Sequence, residues 1–177
     1  MVASDPAALG EQCGPVVEDP RHLQPLYAAA THEGTWSEAV LSLVDGVNSA
    51  GASLEVHDEL TGRPILFEEF GLPGESVPFY LERYHATCPR TPRLRQLRLG
   101  EVDVDEPSDV EGSEFFQDFL ARWGLCHYLG ATLVREPHRF GFIAVHRTFR
   151  LGQPTVLDLE ILRGVAPHIR RALDVDA

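Results

Sequence analysis

The stretch HYLGATLVREPHRFGFIAVHR, residues 127–147, predicts the centre of the fold. Two apolar runs, residues 127–135 and 139–147, flank the short polar segment Glu136-Pro137-His138. Runs of this length, rich in Val, Ile, Phe and Tyr and bounded by a turn, are typical of paired β-strands. Their nearly continuous apolar character indicates strands that are covered on both faces. The sequence therefore predicts a hairpin of two central strands here.

A second hairpin is predicted upstream of this one. ASLEVHD (52–58) alternates in polarity and is rich in β-forming residues, and ILFEEF (65–70) follows it after the turn LTGRP. A further short strand is predicted around Glu101–Val104. Strands joined by short turns are antiparallel. We therefore expect a central sheet of about five strands, mostly antiparallel and within the usual size of a sheet.

Helical patterns flank these strands. They cover residues 22–31, the stretch from Thr35 to Val47, Val77 to Tyr84, residues 113–124 and a closing segment from Pro154. Thr35 begins a capping box, T-W-S-E, and Pro89 ends the third helix. Ser113 is the predicted N-cap of SEFFQDFLARWG (113–124), and Gly124 its C-terminal stop. The predicted fold class is α+β, with helices packed on a mostly antiparallel sheet.

The overall composition fits one soluble domain. The chain has 177 residues, 44% of them hydrophobic, and no apolar run approaches the roughly 18 residues that span a bilayer. The first 20 residues lack the basic and apolar regions of a secretion signal and are expected to be a flexible tail. The three cysteines have no paired metal or redox spacing. We expect a cytoplasmic protein with a single domain over residues 21–177 and no membrane partner.

The charge distribution argues against direct binding of nucleic acid. The formal net charge is −12, whereas affinity for a phosphate backbone depends on clustered positive charge. The basic stretch RTPRLRQLR (90–98) is followed at once by the acidic stretch EVDVDEPSDVE (101–111). We expect these two stretches to neutralise each other. Asp103 and Asp105 are expected to form a solvated acidic edge of a strand rather than a catalytic pair.

The closing segment predicts a helix with a seam for another helix. The seam is formed by apolar residues spaced alternately three and four apart: Leu159, Leu162, Ala166, Ile169 and Leu173. One side of this helix can pack on its own domain and leave the other for a second copy of the chain. A homodimer about a two-fold axis is the predicted outcome. Pro167 is expected to bend or restart the helix just after Gly164.

The ordered set of motifs resembles the amino-terminal sensor region of LuxR-type transcriptional regulators, which has a GAF- or PAS-like fold. The resemblance covers residues 25–173, and it rests on an aromatic helix, an H-R pair at the end of the second central strand and a closing helix: Phe115, Phe116, Asp118, Phe119, Leu120, Gly124, Leu125, His146, Arg147, Leu159, Leu162, Pro167, His168, Arg170, Arg171, Ala172 and Leu173. It implies a non-catalytic sensing and dimerisation domain, whose closing helix is an output connector. Regulators of this type end in a helix-turn-helix domain, which these residues do not contain. Both a domain of a longer regulator and a stand-alone relative acting through a partner chain remain open.

The resemblance also indicates where a ligand would bind. GAF- and PAS-like domains hold ligands between their helices and their sheet, and here the predicted lining is Tyr80, Tyr84, His85, Phe115, Phe119, Trp123, His127 and His146. Apolar walls with a few polar groups suit a small apolar or aromatic metabolite. Aromatic stripes at helical spacing are usually plain core, which would leave a dimerisation module without a ligand.

An enzyme or a haem or metal protein that reuses this fold is the alternative function. His57 and His146 end two predicted strands and, together with His85 or His127, offer nitrogen ligands. No paired histidine spacing supports such a site, and the chain lacks the common catalytic signatures, such as G-x-S-x-G and H-E-x-x-H. We therefore expect no metal and no cofactor. Cys88 is expected to be a small buried side chain rather than a reactive thiol.

Overall fold

The computed structural model describes residues 20–105 and 111–176. In chain order these residues form α1 (Pro20–Ala30), α2 (Trp36–Gly46), β1 (Gly51–Asp58), β2 (Pro64–Phe70), α3 (Ser76–Arg83), α4 (Arg90–Leu94), β3 (Val102–Val104), a π-helix (Phe115–Leu120) that continues into α5 (Ala121–Trp123), β4 (His127–Arg135), β5 (Arg139–Arg147), a 3-10 turn (Phe149–Leu151) and α6 (Val156–Asp176). The tail predicted over residues 1–20 lies outside the described residues, apart from Pro20, where α1 begins. No helix among the described residues is long and apolar enough to cross a membrane.

The strands form one five-stranded sheet in the order β2-β1-β5-β4-β3, and every neighbouring pair is antiparallel. The predicted α+β class, the two hairpins and the strand count are confirmed. The hairpins β1–β2 and β4–β5 join along β1 and β5, where Gly51 pairs with His146 and Asp58 with Arg139. The neighbouring strands β1 and β5 therefore belong to different hairpins, which lie far apart in the sequence.

Helices cover both faces of this sheet. Helices α2 and α6 pack on one face, where the buried side chains of β1, β4 and β5 include Leu54, Leu129 and Ile143, and α1 packs on α2 and α6. The opposite face is covered by α3, α4 and the π-helix, and of these α3 and the π-helix place aromatic side chains over the strands. Because side chains alternate along a strand, Ser53, Glu55 and His57 of β1 face this second, aromatic layer. Buried residues run through the centres of β4 and β5, as predicted for strands covered on both faces, and also through β1, for which alternation was predicted.

Two predicted helix starts are confirmed by their caps. The Thr35 hydroxyl accepts from the backbone N–H of Glu38, whose carboxylate accepts from the N–H of Thr35. Ser113 Oγ accepts from the backbone N–H of Phe116 at 3.1 Å. Gly124 ends the aromatic helix with φ 70°, a left-handed conformation that suits glycine. The middle of that helix differs from the prediction, because it is a π-helix rather than an α-helix.

The closing helix packs its predicted seam inside its own domain. Leu162, Ala166, Ile169 and Leu173 are at most 3% exposed, and Ile161, Val165 and Ala172 on the adjacent side are also buried. Assigning the seam Leu162–Leu173 to a dimer interface was therefore wrong, since these side chains already cover the sheet and α1. Leu159 alone of the predicted seam is partly exposed. The helix also continues through Pro167 without the predicted restart.

Candidate functional site

A small cavity lies between the sheet and its aromatic layer. Its walls are formed by residues of β1, β2, β4 and β5 below and of α3, α4 and the π-helix above: Ser53, Glu55, Phe67, Leu72, Ser76, Val77, Tyr80, Cys88, Arg90, Thr91, Leu94, Phe115, Phe119, Leu125, Tyr128, Phe142, Ala144 and His146. Its volume is about 30 Å³, within about 490 Å³ of unoccupied space that includes its opening. Since one water needs roughly 10–15 Å³, this inner cavity accommodates a few atoms as it stands.

The upper wall of the inner cavity is aromatic and tightly packed. The Phe115 and Phe119 rings of the π-helix lie 5.3 Å apart between centroids, and Tyr80 of α3 lies 5.6 Å from Phe119. A π-helix bonds residues five apart rather than four. This spacing brings Phe115, Phe119 and Leu120 to the buried side of the segment and leaves Phe116 partly exposed.

Two polar groups in the floor of the cavity have no hydrogen-bond partner. Tyr128 of β4 is fully buried and His146 of β5 is 7% exposed, and the two residues pair directly across the strands. Neither the Tyr128 hydroxyl nor His146 Nδ1 has a partner in the protein. Burial and the nearby positive charge of Arg90 lower the pKa of His146 to about 3, so its imidazole is neutral at pH 7. A buried polar atom without a partner is costly, and such atoms are rare in folded proteins.

The Tyr128 side chain occupies space that Gly130 leaves free. A Cβ atom at Gly130 would lie 1.9 Å from the Tyr128 hydroxyl oxygen. The guanidinium of Arg90 lies over the ring, with its carbon 4.2 Å from the centroid. The ring is thus held between a glycine on its own strand and a cation on α4, which fixes the hydroxyl against the sheet.

A line of hydrogen-bonding side chains leads from the cavity floor to the surface. Ser53 Oγ donates to Glu55 Oε1 at 2.9 Å, and Glu55 Oε2 lies 3.1 Å from His57 Nε2. His57 Nδ1 lies 3.0 Å from His85 Nε2. Ser53, Glu55 and His57 are buried, whereas His85 is partly exposed. Burial, followed by the neighbouring His57, lowers the pKa of His85.

The buried charges above the floor are paired. Arg90 Nε donates to Asp105 Oδ2 at 2.8 Å, and both side chains are almost completely buried. Arg93 pairs with Asp103 and also contacts Asp105. The predicted mutual neutralisation of residues 90–98 and 101–111 is confirmed for these residues, although 106–110 lie outside the described part of the chain. The predicted solvated edge was wrong for Asp105, which is buried in an ion pair.

A larger cleft lies directly outside the inner cavity. It has a volume of about 200 Å³ and is lined by His57, Glu59, Gly62, Tyr80, His85, Ala86, Thr91, Arg95, Phe140 and Phe142. Tyr80, Thr91 and Phe142 line both spaces. We call this space the outer cleft. These three side chains form the partition between it and the inner cavity.

The structure separates the predicted lining residues into groups. Tyr80, Phe115, Phe119 and His146 line the inner cavity, and His85 with Tyr80 lines the outer cleft. Tyr84 is buried behind the aromatic wall, and its hydroxyl faces Asp118 at 3.5 Å. Trp123 lines a separate surface cleft with Phe79 and Arg122.

His127 also lies away from both spaces. Its ring stacks on Phe149 beyond the end of the sheet, with 6.4 Å between centroids. Placing Tyr84, Trp123 and His127 in the lining of the cavity is therefore corrected. The cause for Trp123 is the π-helix, which shifts the residues after it around the helix axis.

The proposed association of His57 with His146 was wrong. β1 and β5 are antiparallel, so His57 pairs with Phe140 while His146 pairs with Gly51, at the other end of the two strands. The partner of His57 is His85 instead. Within residues 20–105 and 111–176, no group of three or more His, Cys, Asp or Glu side chains is placed to hold a metal ion.

The polar side chains in the floor of the cavity were not predicted from the sequence. Ser53, Glu55 and Tyr128 were assigned only to strands, and Arg90 only to a charge run. A usable signal was present in ASLEVHD, where Ser53, Glu55 and His57 alternate with apolar residues and therefore share one face. The burial of that face depends on β1 lying beside β5, which the local pattern does not indicate. Cys88 is buried, as predicted, and lines the cavity.

No protein-family model matches this chain, and no curated protein matches it in sequence. Solved structures do match its fold. The ligand-binding domain of VqsR from Pseudomonas aeruginosa has a TM-score of 0.65 and 13% identity, covering 88% of this chain and 93% of its own. CepR2 from Burkholderia cenocepacia, an N-acylhomoserine-lactone-dependent LuxR-family transcription factor, has a TM-score of 0.63 and 14% identity, covering 86% and 90%.

A GAF domain gives a similar match. The GAF domain of the cyanobacteriochrome TePixJ has a TM-score of 0.59 and 13% identity, covering 84% of this chain and 92% of its own. At these identities the likeness concerns the fold. The chain has the fold that GAF domains share with the ligand-binding domains of LuxR-type regulators.

Proposed function

We propose that this chain is a sensing domain that binds a small, mostly apolar molecule between its sheet and its aromatic helices and serves a transcriptional regulator. One observation carries the proposal: the Tyr128 hydroxyl and His146 Nδ1 are buried without partners in the floor of an apolar-walled cavity. Ligand sites commonly combine apolar walls with a few polar groups that fix orientation. Two such groups that no protein atom satisfies are suited to a ligand.

The inner cavity is small because the proposed binding site is closed in this structure. About 30 Å³ is far below the roughly 300–1,000 Å³ of a typical ligand pocket. Binding therefore requires wall side chains to move, and the ligand selects the open arrangement through the contacts that it gains there. The adjoining outer cleft of about 200 Å³ supplies space into which the site can extend.

The structural relatives support ligand binding in a domain of this shape. CepR2 is described as dependent on N-acylhomoserine lactone, and the VqsR structure is that of a ligand-binding domain. This chain shares their fold with little sequence identity. We therefore propose the location of the site by analogy and take the ligand chemistry from the residues of this chain.

A route from the site to the closing helix exists within the sheet. His146 faces the cavity, and the next residue, Arg147, faces the opposite layer and bonds Asp158 in the first turn of α6. A ligand that shifts the end of β5 would displace the start of α6. We propose that output passes through α6 to an effector or a partner chain rather than through direct DNA contact, in keeping with the net charge of −12.

We also propose that the domain forms a homodimer, through a surface other than the buried seam. Exposed apolar side chains at the start of α6 and just before it include Phe149, Val156 and Leu157, which are 82%, 73% and 52% exposed. Most soluble oligomers are symmetric dimers. Light scattering at micromolar concentration should give a dimer for the natural chain and a monomer for Leu157→Glu, while the natural chain as a monomer would contradict dimerisation.

A dimerisation module without a ligand is the second candidate function, because side chains fill most of the inner cavity. Native mass spectrometry of freshly purified protein separates the two. A sensing domain should carry a non-covalent adduct or acquire one from a metabolite extract, and adduct formation should protect Cys88, which lines the cavity, from a thiol reagent. A dimer that never takes up an adduct, and whose Cys88 reacts at one rate under all conditions, would favour the module.

A further inference from the structure

Tyr80 belongs to the partition between the inner cavity and the outer cleft, and it is the one partition residue that lies on a mostly unburied helix. Of the three side chains that line both spaces, Phe142 stands on a central strand and Thr91 on α4, over the sheet. Tyr80 belongs to α3, a helix of eight residues in which only Ser76 is buried. A side chain on a short surface helix changes rotamer at lower cost than one on a buried strand.

The closed position of Tyr80 depends on its hydroxyl. Tyr80 is partly exposed, while its hydroxyl lies in buried surroundings close to Glu55 and the Cys88 thiol. Burial, the negative charge of Glu55 and the contact with Cys88 raise the pKa of Tyr80 well above its ordinary value. A thiol is a weak hydrogen-bonding partner. The closed state is thus held by a weak polar contact and by packing against Phe119.

We propose that Tyr80 is the gating residue of a single binding site that comprises the inner cavity and the outer cleft. This site takes an elongated, uncharged ligand. The inner end of the ligand carries a hydroxyl or carbonyl group that reaches Tyr128 and His146. Its apolar body lies under Phe115 and Phe119, and its outer end lies in the cleft beside His57 and His85. This inference rests on the sensing function proposed above.

The pairing of the buried charges is the reason for an uncharged ligand. Arg90 is occupied by Asp105, and both oxygens of Glu55 are occupied, by Ser53 and His57. Among the residues that line the inner cavity, the atoms without partners belong to a phenol and to a neutral imidazole. A charged group placed beside them would be desolvated without a counter-ion, which is strongly unfavourable.

The proposal is tested with two fluorescent probes that differ by one charge. N-phenyl-1-naphthylamine is neutral and carries one N–H group, and 1-anilinonaphthalene-8-sulfonate is the same skeleton with an added sulfonate. Both brighten in apolar surroundings, so stopped-flow mixing gives association and dissociation rates. The proteins are the natural chain, Tyr80→Phe, Tyr80→Ala, Tyr128→Phe and the control Tyr84→Phe. Tyr84 lies one turn beyond Tyr80, and its hydroxyl faces Asp118, outside both spaces.

We expect the neutral probe to bind and the anionic probe to bind at least about ten-fold more weakly, as for a charge without a partner. Loss of the polar contact with Cys88 in Tyr80→Phe should raise the association rate about two- to five-fold, since this contact is weaker than a full hydrogen bond. Tyr80→Ala should raise both association and dissociation rates. Tyr128→Phe should weaken binding about two- to ten-fold through faster dissociation, and Tyr84→Phe should behave as the natural chain.

The outcomes test the gating role of Tyr80 and the sensing function of the domain separately. Unchanged association rates in both Tyr80 variants, with weaker binding in Tyr128→Phe, would contradict the gating role of Tyr80 but would still support the sensing site. Equal affinities of the two probes would contradict the claim that the site takes an uncharged ligand. Failure of both probes to bind any of the five proteins, each shown by circular dichroism to be folded, would overturn the sensing function and this inference with it. Tyr80→Phe is the conservative variant if Tyr80→Ala does not fold.

Discussion

The Arg147 guanidinium lies 3.1 Å from the Asp158 carboxylate, and this contact ties the end of β5 to the first turn of α6. The Arg147 guanidinium also donates to backbone carbonyls at the end of α2 and in the segment before α6: Val47, Asn48, Leu151 and Gly152. Asp158 also accepts from the backbone N–H and hydroxyl of Thr155, the residue before the helix. One buried arginine therefore joins three segments directly behind the cavity residue His146.

Replacing Arg147 should destabilise the fold strongly. Arg147→Met keeps much of the apolar stem but removes the counter-ion of the buried Asp158 carboxylate and one donor from each of four backbone carbonyls. Removing one partner of a buried pair costs about 3–5 kcal/mol, and we expect a loss of this size in urea denaturation followed by circular dichroism. Arg163→Met, at an exposed position of the same helix, should change stability by less than about 0.5 kcal/mol. Equal, small effects of both variants would contradict the role given to Arg147.

The buried pair Arg90–Asp105 should show a different signature. Asp105→Leu leaves the Arg90 guanidinium buried without its main partner and should cost about 3–5 kcal/mol. The double variant Arg90→Met/Asp105→Leu removes both charges and should recover most of that loss, since apolar replacements of a buried pair are often neutral. A double variant no more stable than Asp105→Leu would mean that Arg90 stabilises the fold chiefly by packing on Tyr128. Thermal denaturation of the natural chain and the two variants decides this.

Much of the fold could be predicted because its elements depend on local chemistry. The two hairpins are specified by short turns, and the caps at Thr35 and Ser113 by side chains within three residues of their targets. The pairing of β1 with β5 joins residues 81 to 95 positions apart, from Asp58 with Arg139 to Gly51 with His146, and has no local signal. The seam of the closing helix shows the same limit. Three–four spacing marks an apolar face, but it does not tell a partner helix from the domain's own sheet.

The candidate site could be predicted only in part, for two physical reasons. Phe115, Phe119 and Tyr80 were found because aromatic residues at helical spacing face a core. Trp123 was misplaced because the π-helix breaks that spacing. Tyr128 and Glu55 were missed because polar residues in strands are usually exposed, and their burial follows from helices that lie far away in sequence.

Gly130 should be intolerant of any side chain. A Cβ atom there would lie 1.9 Å from the Tyr128 hydroxyl oxygen and 3.0 Å from the carbonyl oxygen of Ile143, so Gly130→Ala must displace the ring from its place under Arg90. Overpacking of this kind costs about 1–3 kcal/mol. Gly74→Ala is the matched control, because no atom lies within 4 Å of the added methyl group. Equal unfolding midpoints of Gly130→Ala and Gly74→Ala would show that Tyr128 does not occupy this position.

The low pKa of His146 predicts a specific loss of stability in acid. The ordinary pKa of 6.5 falls to about 3 in the folded chain, because of burial and then the positive charge of Arg90. Between these two values the unfolded chain binds a proton that the folded chain does not bind. The contribution of this site to stability is therefore constant above pH 6.5 and falls as the pH drops toward 3.

The expected slope is about 1.4 kcal/mol per pH unit below pH 6.5, or about 2 kcal/mol between pH 7 and pH 5. The variant His146→Leu lacks this term, so the difference in unfolding free energy between the natural chain and the variant isolates it from all other titrating groups. Urea denaturation at pH 8, 7 and 5 measures the difference. It should be the same at pH 8 and 7 and should shift by about 2 kcal/mol in favour of the variant at pH 5. A difference that does not change down to pH 5 would mean that His146 is protonated in the folded chain as readily as in the unfolded chain. The floor of the cavity would then be hydrated, and the sensing proposal, which requires a dry floor with unsatisfied polar atoms, would be contradicted.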